Sequence, residues 1–337
     1  MRDPASVSPK GMTDPFGRRV EYLRISVTDK CNLRCVYCMP EEGLPWLKKS
    51  QLLTYEEIHK VVEVLASHGL KRIRLTGGEP LVRKDLPHLV KLLASVPGIE
   101  DLAVSTNGVL LKDLAGPLRD AGATRVNISL DSFRKDRVDA LARREGTFER
   151  VVAGLEAAEE AGLVPLKLNV VLIRGKNDDE IPDFAQVTRI RPWHVRFIEI
   201  MPTGSNLELS ANDFFSCQEA LERLRELGDL EPVDGPTGNG PASYYRFPDA
   251  LGTVGVITPM SPNFCDRCNR LRLTADGFLR PCLFGHIQTN LRDPLRAGED
   301  LLPLIEETLR IKPERHDLVQ GSDLGSGGLV ALSQTGG

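Results

Sequence analysis

The sequence is poor in aromatic residues and has no strong excess of charge of either sign. Aromatic residues make up 5% of its 337 positions, and 43 basic against 47 acidic residues leave a formal net charge of −4. This balance argues against a general nucleic-acid or membrane-surface protein, because phosphate-backbone binding needs a broad excess of Lys and Arg. Any site for an anion must therefore be local.

Apolar runs long enough to span a bilayer are missing, because charges or glycines interrupt each apolar segment. The first residues carry Pro, Ser and Gly but not the apolar run that a secretory signal requires. We therefore expect residues 1–14 to be a flexible leader and the protein to be soluble and cytoplasmic. Cysteine is scarce, at seven residues, and disulfides are not expected in a reducing compartment.

The main pattern between residues 22 and 200 is a short apolar strand followed by a helix-length amphipathic segment. Thr54 and Glu57 have the spacing of a helix capping box, and Gly69 follows where that helix should end. Strand–helix alternation predicts a parallel sheet, and six units are too few for a closed eight-stranded barrel. The expected fold is α/β, a partial (βα)6 TIM-like barrel. Its predicted strands cover 22–28, 72–76, 101–106, 124–131, 166–173 and 194–200.

Polar, turn-rich segments follow five of these strands, at the end where parallel α/β folds collect their chemistry. After residue 205 the strand–helix pattern changes and Pro and Gly accumulate. The predicted organisation is a barrel over 15–205, a C-terminal region over 206–311 and a Gly/Ser-rich tail over 312–337.

Cys31, Cys35 and Cys38 supply three thiolates directly after the first predicted strand. Three such ligands can hold three irons of a cubane [4Fe–4S] cluster and leave the fourth iron open to a reactant. Zinc would need a fourth ligand, and none lies nearby in the sequence. A zinc site completed by a distant residue and three unrelated buried cysteines remain as alternatives.

The CxxxCxxC spacing of this loop resembles that of the radical S-adenosylmethionine (SAM) superfamily. Tyr37 between the last two cysteines and the run Gly77-Gly78-Glu79-Pro80 strengthen the resemblance. It implies that the open iron binds the amino and carboxylate groups of SAM, and that reduction releases a 5′-deoxyadenosyl radical. Glycine would let the backbone approach the methionine amino group, although the same run also fits an ordinary tight turn.

Cys265, Cys268 and Cys282 form a second group of three thiolates. A structural zinc site with His286 or Cys217 as the fourth ligand is one interpretation of this spacing. A second cluster with an open iron is the other.

Arg270 and Arg272 lie between the second and third cysteines of this group. Alternation in a strand would point both guanidiniums to one side, and two such groups beside a metal site suit a triphosphate. This run and the final Gly336-Gly337 resemble the GTP 3′,8-cyclase family of molybdenum cofactor biosynthesis. The resemblance covers roughly residues 15–290 and the last two residues. It implies that the C-terminal extension carries a second [4Fe–4S] cluster.

The cyclase resemblance also implies roles for individual residues. The implied metal ligands are Cys31, Cys35, Cys38, Cys265, Cys268 and Cys282. The implied SAM contacts are Tyr37, Gly78, Ser129 and Met201. The implied GTP contacts are Arg24, Arg74, Ser105, Lys167, Arg270, Leu271 and Arg272, although Arg74 and Lys167 would otherwise pass for surface charges. The implied catalytic residues are Arg270, Arg272, Gly336 and Gly337, of which one arginine of the pair assists the final reduction and the glycines reach into the active site.

The family reaction removes hydrogen from ribose C3′ of GTP, joins C3′ to guanine C8 and reduces the product to 3′,8-cyclo-7,8-dihydro-GTP. The resemblance further implies an external electron donor, a homodimer and hand-over of the product to cyclic pyranopterin monophosphate synthase. Two hypotheses from other classes remain: a radical SAM enzyme that acts on a peptide or other substrate, and a zinc-binding module without catalysis.

Overall fold

A computed structural model describes residues 11–201, 209–236, 240–261 and 264–316 of the chain. Within these ranges, twelve strands form a single mixed sheet in the order β12-β11-β10-β1-β2-β3-β4-β5-β6-β9-β8-β7. The strands are β1 (Tyr22–Ser26), β2 (Arg72–Thr76), β3 (Asp101–Thr106), β4 (Arg125–Ser129), β5 (Lys167–Leu172), β6 (His194–Glu199), β7 (Glu231–Val233), β8 (Ser243–Arg246), β9 (Thr253–Ile257), β10 (Arg270–Leu273), β11 (Phe278–Arg280) and β12 (Thr289–Asn290). The helices are α1 (Tyr55–Ser67), α2 (Leu86–Ala94), α3 (Leu111–Asp120), α4 (Lys135–Ala142), α5 (Thr147–Glu160), α6 (Ile181–Ile190), α7 (Cys217–Glu226), α8 (Arg292–Ala297) and α9 (Leu302–Arg310).

The central part of the sheet is parallel and is longer than the sequence pattern indicates. All six predicted strands are present as β1 to β6, and they pair in chain order. Beyond them, β10 pairs parallel with β1, and β9 pairs parallel with β6. The strand order is linear with β12 and β7 at its ends, so the barrel is not closed. The partial barrel is confirmed, and strands from the C-terminal half of the chain extend it on both sides.

Local sequence signals account for both ends of α1 and for the start of α7. Glu57 donates its backbone N–H to Thr54 Oγ1 at 3.1 Å, and Thr54 N donates to Glu57 Oε2 at 2.7 Å, which confirms the capping box. Gly69 follows α1 with a φ of 103°, a value that glycine adopts without steric cost. Helix α7 begins at Cys217, where Ser216 and Glu219 form a second capping box.

The sheet separates an apolar layer from a charged interior. Leu23, Ile25 and Leu271 are fully buried in the core that the sheet forms with its helices. Side chains alternate along a strand, so Arg24 between Leu23 and Ile25 points to the opposite face, inside the barrel. Among the described helices, none has the length and apolar character needed to cross a membrane.

Candidate active site

One cleft runs from the carboxyl ends of the parallel strands into the interior of the barrel. Its walls take residues from β1 to β6 and from β9 and β10. Both cysteine groups and the predicted arginines line it: Cys31, Cys35, Cys38, Cys265, Cys268, Cys282, Arg24, Arg74, Arg270 and Arg272.

The first cysteine group lies in the loop that follows β1. Cys31 Sγ accepts a hydrogen bond from the backbone N–H of Leu33 at 3.4 Å and from Asn107 Nδ2 at 3.9 Å. Burial raises the pKa of Cys31 to about 11. It also raises the pKa of Cys35, which the neighbouring thiols of Cys38 and Cys31 raise further. Three desolvated thiolates would repel one another here, and a bound metal cluster supplies the positive charge that offsets this repulsion.

The glycine pair after β2 packs against the backbone of the cysteine loop. Gly78 N donates to Thr28 O at 2.8 Å, and Glu79 N donates to Lys30 O at 2.8 Å. A Cβ added to Gly77 would collide with the Thr28 carbonyl, and one added to Gly78 would collide with that of Lys30. Glycine is therefore required at both positions by the close approach of the loop that carries Cys31.

Glu79 ties this glycine turn to the loop after β3. Its carboxylate accepts hydrogen bonds from Leu81 N at 3.0 Å, Thr106 Oγ1 at 2.7 Å and Asn107 N at 2.7 Å. Burial raises the pKa of Glu79 to about 7. Asn107 also contacts Cys31, so Glu79 helps to orient one side of the first cysteine group. The position of Glu79 in the glycine run does not by itself predict this role.

Tyr37 is fixed by a carboxylate from the loop after β4. Its hydroxyl donates to Asp131 Oδ2 at 2.7 Å, while Val171 N donates to Asp131 Oδ1 at 2.8 Å. Burial raises the pKa of Asp131 to about 6. The four residues predicted to contact SAM all line the same cleft: Tyr37, Gly78, Ser129 and Met201.

The second cysteine group lies on the loops that flank β10 and β11. Burial raises the pKa of Cys268, but the positive charges of Arg270 and Lys312 outweigh it and lower the value to about 7. Neither of the residues suggested as a fourth zinc ligand lines the cleft. Cys217 is buried in the apolar core, with its Sγ near the carbonyl of Phe197, and His286 is exposed to solvent.

Both cysteine groups fit iron–sulfur clusters in the kind and number of their ligands. Each brings three thiolates to the wall of one cleft, and thiolates are the ligands that such clusters use. In the described part of the chain, no three His, Cys, Asp or Glu side chains converge as the ligands of a single metal ion do. A cubane presents a separate iron to each thiolate.

The arginines form one layer of positive charge inside the barrel. In the strand register, Arg24 on β1 lies opposite Arg74 on β2 and opposite Arg272 on β10. Burial lowers the pKa of Arg74 and of Arg272 to about 10. Within the described residues, Arg74 Nε and Tyr22 Oη are buried without a hydrogen-bond partner. An anionic ligand would pair with these cations and relieve their repulsion.

Lys167 is buried rather than on the surface. Its Nζ donates to Pro236 O at 3.4 Å. Burial lowers its pKa to about 6, and the charges of Arg125 and Arg196 act in the same direction. Arg74 is buried too, so the interpretation of both residues as surface charges is wrong.

Three predicted sites lie away from the cleft wall or outside the described residues, namely Lys167, Leu271 and the Gly336-Gly337 pair. The side chain of Leu271 is buried in the apolar core, on the opposite face of β10 from Arg270 and Arg272. Gly336 and Gly337 lie outside the described residues.

Arg196 was missed by the sequence analysis. It lies on β6, lines the cleft and donates from Nη2 to Asn127 Oδ1 at 3.1 Å and to Asn169 Oδ1 at 2.5 Å. The available signal was its position between Val195 and Phe197, where strand alternation sends it to the barrel interior.

Comparison with known proteins identifies the family. The model of the radical SAM superfamily matches residues 25–187, and the model described as Molybdenum Cofactor Synthesis C matches residues 193–318. A GTP 3′,8-cyclase of Pelotomaculum thermopropionicum is 50% identical over 314 residues, which cover 92% of this chain and 96% of that relative. This chain belongs to the GTP 3′,8-cyclase family.

Other relatives agree with this family assignment. A GTP 3′,8-cyclase of Moorella thermoacetica is 48% identical to this chain, and the match covers 92% of this chain and 96% of that relative. A GTP 3′,8-cyclase of Listeria monocytogenes is 46% identical, and the match covers 91% of this chain and 92% of that relative. The crystal structure of Streptococcus suis SuiB bound to S-adenosylmethionine has a TM-score of 0.58 at 14% identity, covers 86% of this chain and 67% of that chain, and shows the fold. The recognition made from the cysteine motifs is confirmed. With it, the expected cofactors are confirmed, namely SAM and two [4Fe–4S] clusters.

Proposed function

We propose that this chain is a radical SAM GTP 3′,8-cyclase, a lyase that acts in the first step of molybdenum cofactor biosynthesis. It converts GTP to (8S)-3′,8-cyclo-7,8-dihydroguanosine 5′-triphosphate with SAM and a reductant. Family membership supports the reaction. The structural observation that carries the proposal is a single cleft lined by two thiolate triplets and five arginines.

Cys31, Cys35 and Cys38 hold the first cluster, and Tyr37, Gly78, Ser129 and Met201 bind SAM beside it. The shared cleft supports these assignments, as does the packing of the glycine turn on the cysteine loop. When bound, this cluster and SAM supply the carbon radical that removes hydrogen from C3′ of GTP. The residues of the chain position SAM and exclude water, because such a radical attacks whichever C–H bond is nearest.

Cys265, Cys268 and Cys282 hold the second cluster, next to the binding site for GTP. A triphosphate carries about four negative charges, so a chain with a net charge of −4 must gather its cations locally to bind one. The buried layer of arginines supports this role. The residues proposed to bind GTP are Arg24, Arg74, Ser105, Lys167, Arg270, Leu271 and Arg272, where Leu271 would act through its backbone.

Arg270 and Arg272 hold the substrate and assist the final reduction. Both arginines line the cleft. In the sequence they lie between Cys268 and Cys282. The guanidinium of Arg270 also packs over the ring of Phe264, with 4.7 Å between its central carbon and the ring centroid. Roles for Gly336 and Gly337 in catalysis stay a prediction.

The remaining parts of the proposal concern partners and organisation. We expect an external electron donor, a homodimer and transfer of the product to cyclic pyranopterin monophosphate synthase. A cytoplasmic location suits oxygen-sensitive clusters and seven unpaired thiols. The boundaries near residues 15, 205 and 311 stay predictions, since β9 and β10 share one sheet with the barrel strands.

The test is nucleotide-dependent turnover by protein reconstituted without oxygen. The holoenzyme should contain about eight irons per chain, as two cubanes require. With SAM, dithionite and GTP it should form 5′-deoxyadenosine from SAM and the cyclised nucleotide from GTP. Neither product should form when ATP replaces GTP. Cys282→Ser should abolish cyclisation, whereas Cys217→Ser, which removes a core cysteine, should retain it. Turnover that does not depend on GTP would favour a radical SAM enzyme with another substrate.

A further inference from the structure

A short segment after α9 runs across the second cysteine group. We call residues 311–316 the strap. Its Lys312 is 3% exposed, and Nζ contacts Cys268 Sγ at 3.5 Å, Arg270 O at 3.0 Å and Pro281 O at 2.7 Å. A lysine that the sequence analysis left in the tail thus touches one of the proposed cluster ligands.

The contacts of Lys312 match the donor pattern of an ammonium group. An ammonium group has three N–H donors, and Nζ has three acceptors within hydrogen-bond reach. A neutral amine would have only two hydrogens for the same three acceptors. Two of these acceptors are carbonyl oxygens, so the remaining hydrogen points at the Cys268 sulfur.

The strap is tied down on the C-terminal side of Lys312. The guanidinium of Arg18, near the N-terminus, donates to Pro313 O at 2.6 Å, to Glu314 O at 2.6 Å and to Cys265 O at 2.7 Å. The backbone of His316 hydrogen-bonds the Cys265 thiol. The strap therefore brings hydrogen-bond donors to two of the three cysteines and has little freedom to withdraw them.

We propose that Lys312 is a positioning residue that sets the electron affinity of the second cluster. Hydrogen bonds to cluster sulfurs and nearby charge are the main ways in which a protein tunes such a potential. When the cluster accepts one electron from the external donor, its negative charge increases by one. The buried ammonium at Cys268 stabilises this reduced form more than the oxidised form. This inference rests on the proposed assignment of Cys265, Cys268 and Cys282 as ligands.

The test is a redox titration monitored by electron paramagnetic resonance, in full-length protein that holds only the second cluster. Replacing Cys31, Cys35 and Cys38 by Ala provides this background. In this background, Lys312→Met should lower the midpoint potential by at least about 59 mV. For a one-electron couple this shift corresponds to a tenfold weaker affinity for the electron. Lys312→Arg should restore most of the shift. Arg310→Met is the matched control, because this side chain is 73% exposed and should leave the potential unchanged.

Iron content separates failure of this inference from failure of the proposed site. A background protein with no iron would overturn the ligand assignment itself. About four irons in both background and Lys312→Met, with equal potentials, would overturn the role of Lys312 alone. If Lys312→Met loses its iron while Lys312→Arg keeps it at the original potential, the requirement for charge is supported. Loss in both variants would indicate a packing role and reject the inference.

Discussion

Arg24 lies directly opposite Arg272 in the register of two neighbouring parallel strands, β1 and β10. Such strands are about 4.8 Å apart, so two guanidiniums on the same face repel each other inside the barrel. Burial strengthens the effect, and the pKa of Arg24 falls well below its usual value through burial and the charge of Arg272. Repulsion between these positive charges therefore destabilises the GTP-free protein, and a bound triphosphate offsets this repulsion.

Arg74→Met should weaken GTP binding and stabilise the GTP-free protein. The residue is buried and its Nε has no hydrogen-bond partner among the described residues, so an apolar side chain of similar length removes repulsion. Loss of a charge-assisted hydrogen bond of about 1.5–3 kcal/mol predicts a GTP affinity roughly 10- to 100-fold lower. Calorimetric titration and the urea midpoint of unfolding would measure the two effects.

Arg19→Met is the control for Arg74→Met, because the Arg19 side chain is 62% exposed. It should change neither GTP affinity nor the urea midpoint by a measurable amount. An Arg74→Met protein that is less stable and binds GTP normally would show that Arg74 is structural.

Arg272→Ala should retain both clusters but lose cyclisation. The side chain lines the cleft and is not a cysteine ligand, so about eight irons per chain should remain. Turnover of GTP should fall by at least about 100-fold, since the residue is proposed both to bind substrate and to assist the final reduction. Turnover would be measured by mass spectrometry of the cyclised product. Normal turnover at saturating GTP would contradict the proposed role of Arg272.

GTP binding should take up a proton through Lys167. In the free protein its pKa is about 6 because burial and neighbouring arginines disfavour the charged form. A triphosphate favours the charged form and raises this pKa. The contribution of Lys167 to binding is therefore full below about pH 6 and is lost as pH rises through the pKa in the complex.

Calorimetry at pH 7.5 in two buffers with different ionisation heats would measure this proton uptake. Wild-type protein should take up a fraction of a proton per GTP bound, and Lys167→Met should take up less and bind more weakly. Equal uptake by both proteins would rule out Lys167 as the source.

Gly78→Ala should disrupt the first cluster site while leaving the second intact. The added Cβ would meet the Lys30 carbonyl just before Cys31, and such overpacking costs about 1–3 kcal/mol. Iron content should fall toward about four per chain, and SAM binding should weaken.

Gly116→Ala is the matched control for the glycine substitution. Gly116 is inside α3, and apart from its chain neighbours and the backbone of its own helix no atom lies within 4 Å of the added Cβ. This variant should keep full iron content. Normal SAM binding by Gly78→Ala would show that the cysteine loop tolerates displacement.

Local patterns predicted the barrel strands and both cysteine groups, because strand periodicity and ligand spacing are properties of short segments. For example, strand alternation predicted that Arg270 and Arg272 point to the same side, and both line the cleft. Contacts between distant segments could not be predicted in this way. Lys312 reaches Cys268 only because α9 returns the chain to the second cysteine group. The burial of Lys167 likewise depends on neighbouring strands that its own segment does not reveal.

The most direct test of the account follows deuterium from the ribose of GTP. The reconstituted holoenzyme would be incubated with SAM, dithionite and GTP deuterated at C3′, and the 5′-deoxyadenosine examined by mass spectrometry. The account predicts one deuterium in the 5′-deoxyadenosine and cyclised nucleotide formed alongside it. Unlabelled 5′-deoxyadenosine, produced at the same rate with or without GTP, would contradict it.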